Sequence, residues 1–140
     1  MVFNCGDEKF QVISTHSSKF KSIPKTLIVS KRLAQCLHPS LPSGVHIKTL
    51  EVYDLIFKCL RGNVNSIFIY ATGLFPLLQY AGITVRPVIL KIYEDHFLQL
   101  GDSLEVVLDG LLIGLLNGME DGSDMYERYE NIFTESWLIN

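Results

Sequence analysis

KRLAQCLHPSLPSGVHIKTLEVYDLIFKCLRG, residues 31–62, decides the fold, because it reads as the end of one helix, a proline-pinned corner and a second helix that is apolar on two sides. Ser43 is the expected N-cap, its hydroxyl placed to accept an amide two or three residues on, and Gly44 eases the turn into a helix ending near Leu60. Gly62 supplies the stop. At 3.6 residues per turn Val45, Leu50, Tyr53, Phe57 and Leu60 make one stripe, and Val52, Leu55, Ile56 and Cys59 widen it. The polar positions expected outside are His46, Lys48, Thr49, Glu51, Asp54 and Lys58. A helix this apolar needs neighbours on both flanks, as in a bundle or a stacked helical array. Pro39 and Pro42 forbid one continuous helix and hold the corner. Before them residues 24–37 read as helical, with Leu27, Ile28, Leu33, Ala34 and Leu37 on the buried side and Lys25, Lys31 and Arg32 outside.

Working outward, residues 65–81 are apolar almost all round, and Pro76 lacks the amide that would bond residue 72. This helix should kink near Gly73 and lie in the core. Gly82 ends it, Thr84 is placed to cap the next helix, and Pro87 falls in that helix's first turn, where its missing amide costs little. The next helix carries Val88, Leu90, Ile92, Tyr93, Phe97 and Leu98 to about Gly101, after which Asp102 or Ser103 opens another through Leu116. Gly110, Gly114 and Gly118 recur every fourth residue on that helix, a groove for close approach of a neighbour. A contact there must offset about 1 kcal/mol of helix propensity per interior glycine. Ser123 is positioned to cap a short acidic helix over residues 124–133, with Tyr126, Tyr129 and Phe133 inward and Asp124, Glu127 and Glu130 outward. Residues 1–22 show weak periodicity and read as a poorly ordered lead-in. No useful strand alternation appears. The fold expected is all-α, about five to six helices, arranged as a HEAT- or armadillo-like segment.

The 140 residues suit one domain, and a hydrophobic fraction of 48% with mean hydropathy +0.24 fits the open end of a larger helical array. Such an end exposes apolar faces and favours aggregation. No stretch reaches the ~20 apolar residues of a spanning helix. Asp7 and Glu8 interrupt what would be the apolar core of a signal peptide, so a cytosolic chain is expected. Cys5, Cys36 and Cys59 are odd in number and widely spaced, and read as reduced core thiols. The formal charge of −3 hides a polarity: nine basic against four acidic residues through position 62, then three against eleven. The basic end could attract an anionic membrane or an acidic partner.

The search for chemistry finds no seat for catalysis. Cys36, His38, His46 and Cys59 lack the paired spacing of zinc chelates, so no metal is expected. His96 has Glu94 and Asp95 beside it, but adjacent helical residues do not face each other, and it reads as an exposed residue at a helix end. Ser18-Lys19-Phe20-Lys21 has S-x-x-K spacing without companion motifs, and the run at residues 120–124 lacks the closing glutamate of a calcium loop. No phosphate loop, nucleophile elbow or dinucleotide fingerprint is present, and no cofactor is expected. Lys19, Lys21, Lys25, Lys31 and Arg32 form the densest basic cluster and are the candidate contact for anionic lipid or an acidic partner. The acidic chain and core-committed aromatics argue against nucleic acid.

IPKTLIVSKRLAQCLHPSLPSGVHIKTLEVYDLIFKCL, then IYATGLFPLLQYAGITVRPVILKIYEDHFLQLGDSL, then GLLIGLLNGMEDGSDMYER resemble the N-terminal region of the Dopey family, over about residues 23–131. The first twenty or so residues lack the helical lead-in of that family, and NIFTESWLIN departs from its pattern, so 132–140 is expected to be a divergent tail. Members of the family are very long chains, which leaves a truncated product, a fragmentary gene model or a short paralogue for this one. The resemblance implies a non-enzymatic scaffold in endosome-to-Golgi transport, held peripherally on Golgi and endosomal membranes from the cytoplasm. Its implied partner is a large scaffold protein related to Arf guanine-nucleotide exchange factors, with phosphoinositide lipids and conventional kinesin as further links. The second reading, from another class, is a small peripheral module recognising anionic lipids through its basic N-terminal helix.

Overall fold

A computed structural model describes residues 23–61, 63–119 and 126–138. Among them are six α-helices and no strand: α1 Thr26–Gln35, α2 Ser43–Cys59, α3 Val64–Leu74, α4 Arg86–Ile92, α5 Glu105–Met119 and α6 Tyr126–Leu138. The expected all-α class is the observed one.

Helix α2 takes the central place that its two-sided apolarity requires. Leu50, Tyr53, Ile56, Phe57 and Leu60 are buried, while Val52, Leu55 and Cys59 are half-buried. Two assignments at its N-terminal end change. Val45 is partly exposed, and His46 and Thr49, expected outside, are buried. His46 and Thr49 stand one turn before Leu50 and Tyr53, so the true stripe runs through them. Each pays its desolvation with a hydrogen bond: Thr49 Oγ1 donates to the Val45 carbonyl at 2.8 Å, and His46 Nε2 donates to the His38 carbonyl at 2.9 Å. The second bond ties the helix to the proline corner. Ser43 is the first helical residue and makes no cap bond; Pro42, in extended conformation, is the N-cap.

Helix α1 is turned differently from its expected setting. It packs on α3, where Ala34 Cβ lies only 2.9 Å from where a side chain at Gly73 would begin, and Ser30 and the following Leu37 are buried. Leu27 and Ile28, expected on the buried side, are 68% and 58% exposed. The helix starts at Thr26 after Lys25 in a left-handed conformation (φ 56°), and it is the face carrying Ala34 that meets α3.

Asn63 caps α3 by accepting the Ser66 amide at 3.2 Å. The regular helix stops at Leu74 and tightens into a 3-10 turn, Phe75–Gln79, which contains Pro76 at its start. The kink expected near Gly73 therefore falls one residue later. Thr84 does not cap α4; Val85 holds that position without a side-chain bond, and Pro87 sits in the first turn as expected. The long helix expected from residue 84 to 101 is not continuous. After Ile92 the chain widens into a π turn, Tyr93–Phe97, then a 3-10 stretch, Leu98–Leu104, in which Gly101 adopts φ 55°, ψ −131°. That conformation suits glycine alone. Regular helix resumes at Glu105 rather than at Asp102 or Ser103.

The glycine groove of α5 is real and its occupant is the turn after α3. A side chain added at Gly110 would run into the Phe75 ring, and one at Gly114 would meet the Phe75 carbonyl oxygen at 3.1 Å. Phe75, Tyr93, Phe97 and Phe57 then make a continuous aromatic core, with centroid separations of 5.3–6.2 Å. Helix α6 closes over α5 with Tyr129, Ile132 and Ser136 buried, and it runs on through the residues expected to form a divergent tail. The expected caps at Ser123 and the inward setting of Tyr126 lie outside the described residues. Cys36 and Cys59 are half-buried and form no disulfide.

Candidate functional site

The basic cluster read from the sequence is gathered only in part. Lys19 and Lys21 lie outside the described residues. Lys25, Lys31 and Arg32 are exposed on α1, and Lys31 and Arg32 border a shallow depression with Ile28 and Gln35. Arg32 donates to the Gln35 side-chain oxygen at 3.2 Å. The exposed Leu27 and Ile28 give this helix an apolar component beside its charge.

The more constructed site is centred on the π turn, and His96 is its key residue. Expected at an exposed helix end, His96 is 6% exposed. Its carboxylate partner is neither neighbour in the chain: Nε2 donates to Asp54 Oδ1 of α2 at 2.7 Å, and Asp54 Oδ2 accepts from Lys58 Nζ at 2.6 Å. Each neighbour is held by another helix. Glu94 receives a two-point grip from Arg128 of α6, Nε to Oε1 at 2.7 Å and Nη2 to Oε2 at 2.6 Å, while Asp95 pairs with Lys91 of α4 at 3.0 Å. Three successive residues of the π turn thus reach three different helices. Such two-point arginine pairs are geometrically specific.

Electrostatics follow this geometry. Partial burial works to raise the Asp54 carboxyl, but the hydrogen bonds from Lys58 and His96 outweigh it and the net direction is downward. The bond to Glu94 raises the Arg128 guanidinium against the opposing effect of burial. Burial raises the Cys59 thiol. A depressed carboxyl contributes stability that is whole above its unfolded value and fades as pH falls through the lower folded value. Asp54→Asn is therefore expected to lower the urea midpoint near neutral pH, with the gap to the parent closing once the pH drops well below ~3.9, the ordinary aspartate value. Midpoints across that range check the sign.

Beside His96 opens a cleft of about 350 Å³. Phe57, Arg61 and Ile67 form one wall, and Asp95, His96, Gln99 and Leu100 form the other. The lining contains no serine, threonine or cysteine that could serve as a nucleophile. His38 is engaged with Ser40, and no group of three or more His, Cys, Asp or Glu among the described residues could hold a metal ion. None of the described helices is long and apolar enough to cross a membrane. The Asp54–His96 pair escapes sequence reading because its partners are 42 residues apart, and local spacing carries no signal for them.

Comparison with known proteins gives consistent results. The family model "Dopey, N-terminal" matches residues 9–136, beyond both ends of the resemblance seen in the sequence. Protein DOP1B of Mus musculus is 54% identical over 112 residues, which cover 79% of this chain and 5% of that protein. The Protein DOP1 homolog of Drosophila melanogaster is 50% identical over 113 residues, 80% of this chain and 4% of the relative. Protein DOP1 of Saccharomyces cerevisiae is 35% identical over 121 residues, 81% of this chain and 7% of the relative. No solved structure matches. The chain spans less than a tenth of the length of these relatives. With a helical unit of this kind, matched over most of its length from yeast to mouse, the chain belongs to the Dopey family and corresponds to its N-terminal region.

Proposed function

We propose that this chain is a non-enzymatic scaffold or adaptor segment of the membrane-trafficking machinery, acting in endosome-to-Golgi protein transport. Membership of the Dopey family over residues 9–136 is the observation that carries the reading. In it the protein works from the cytoplasm, peripherally on Golgi and endosomal membranes. Its partner is a large scaffold protein related to Arf guanine-nucleotide exchange factors, with conventional kinesin and phosphoinositide lipids as further contacts. Residues 23–131 are the helical domain, and the helices form part of a HEAT-like array. The exposed Ile113 and Leu116 of α5, with Leu27 and Ile28 of α1, are faces that neighbouring helices of such an array would cover. The test is deletion of the segment equivalent to residues 23–131 from a full-length relative in cells. Return of a recycling cargo from endosomes to the Golgi should slow; an unchanged return rate would refute the reading.

A second reading is favoured by one observation, the exposure of Leu27 and Ile28 beside Lys25, Lys31 and Arg32. In it α1, with Lys19 and Lys21, binds anionic lipid, each basic residue near the surface adding about 1 kcal/mol. Flotation with anionic and neutral vesicles decides it: binding should require anionic lipid and drop on neutralising these five residues. Equal recovery with both vesicle types would exclude it.

A further inference from the structure

Helices α1, α3 and α5 lie side by side: Ala34 of α1 meets Gly73 of α3, and the turn after α3 fills the glycine groove of α5. On each of the three the exposed stripe stands opposite the buried one, about a quarter turn from the contact with its neighbour, so the three stripes look out from the same side of the layer. That side is rich in exposed apolar residues: Leu27 and Ile28 on α1, Phe68 on α3, and Val106, Ile113 and Leu116 on α5. Its charges are sorted by helix. Helix α1 has Lys31 and Arg32 and no acid, α3 has no charged residue, and α5 has Glu105 and Asp109 and no base. All four of these charged side chains are exposed, and none is in an ion pair among the described residues. A further helix of an array would stack beside α1 or beside α5. The outer side of α3 already lies between two neighbours, so such a helix would leave Phe68 open.

We propose that this face pairs with the same face of a second copy of the chain, about a two-fold axis that passes beside Phe68. The rotation sets α1 of each copy over α5 of the other, so Lys31 and Arg32 meet Glu105 and Asp109 twice while the apolar residues close together between them. A face that is basic at one edge, neutral in the middle and acidic at the other is complementary to itself when turned about such an axis. Anionic lipid is a poorer occupant for the face as a whole, since Glu105 and Asp109 would be pressed against a surface of their own sign. Three helices about 10 Å across, over the roughly 16 Å length of α3, make a face on the order of 500 Å² per copy. This is at the low end for specific association, and a weak dimer is expected. The inference goes beyond the scaffold reading and does not rest on it.

Sedimentation equilibrium of the 140-residue chain at low salt, from about 5 to about 500 µM, tests it. The expected result is a monomer–dimer equilibrium whose dissociation constant rises at least about tenfold with Phe68→Ser, with the pair Lys31→Glu and Arg32→Glu, and with the pair Glu105→Lys and Asp109→Lys. All five positions are exposed, and circular dichroism checks that each variant keeps the helical content of the parent. The sharpest sample is an equimolar mixture of the two charge-reversed variants. Each repels its own kind, but a heterodimer restores both contacts, and its affinity should return to within about threefold of the parent. A chain that stays monomeric throughout, whether or not anionic vesicles take it up, would overturn the proposal. Open-ended growth past the dimer would also overturn it, by showing that copies stack edge to edge, as would reversed variants that associate like the parent or whose mixture associates no better than either alone. The scaffold reading is tested separately by cargo return, so the failure of one leaves the other standing.

Discussion

Tyr93→Ala is expected to be the most damaging single change in the chain, costing about 3–5 kcal/mol, the range for removing a large aromatic from a packed core. Tyr93 is fully buried, stacked on Phe97 at 5.3 Å and tilted against Phe75 at 6.2 Å, and its removal would open a void where α4, α5 and the turn after α3 meet. Domains of this size are stable by only about 5–15 kcal/mol, so the variant should lose about a fifth or more of its stability. Urea denaturation followed by circular dichroism reads the change as a lower midpoint. Tyr93→Phe supplies the contrast. The Tyr93 hydroxyl is buried with no hydrogen-bond partner among the described residues, and burial pushes its pKa upward. Deleting an unsatisfied hydroxyl while keeping the ring should leave stability within about 1 kcal/mol of the parent, on the favourable side if anything. A Tyr93→Phe variant as damaged as Tyr93→Ala would mean that the hydroxyl, rather than the ring, secures the site.

Gly110→Val is expected to cost about 2–3 kcal/mol by overpacking, although valine is a better helix former than glycine. The added carbon would occupy the space of the Phe75 ring, which is itself enclosed by Tyr93 at 6.2 Å and Phe97 at 5.7 Å and has nowhere to retreat. Gly114 lies against the Phe75 carbonyl oxygen, so the turn cannot shift along the groove either. Gly44→Ala is the control with the opposite sign. Nothing lies within 4 Å of the position its side chain would take, and relief of backbone entropy should stabilise the chain by about 0.4–1 kcal/mol. Midpoints that moved the same way in both variants would show that the groove is not closed by Phe75.

These two sites show what could be read from the sequence. The recurrence of Gly110 and Gly114 announced a close approach, because a four-residue repeat puts missing side chains on one face. What fills the groove, the turn carrying Phe75, was not legible, since nothing local links residue 75 to residue 110. The same division runs through the rest of the chain. The stripe of Leu50, Tyr53 and Phe57 set α2 at the centre, as its periodicity required. His46 and Thr49 were misplaced because a polar side chain that bonds its own helix or corner can be buried without altering the apolar pattern. Leu27 and Ile28 were misplaced because α1 is apolar on more than one side, and contact with α3 chose the other. His96 was misplaced for a third reason. Reading it as an exposed helix end assumed a regular helix, and the π turn redirects it toward Asp54 of α2. The candidate site was therefore hidden at each of its long-range contacts, while the exposed Lys25, Lys31 and Arg32 were legible from their local clustering alone.

The family relationship places this unit at one end of proteins many times its length, and the scaffold reading holds that these helices themselves grip a partner. Affinity capture with a full-length relative, intact and lacking the segment equivalent to residues 23–131, tests that directly. The account predicts that the Arf-exchange-factor-related scaffold is recovered with the intact protein and lost with the deletion. Undiminished recovery from the deleted protein, properly folded and expressed to the same level, would contradict it.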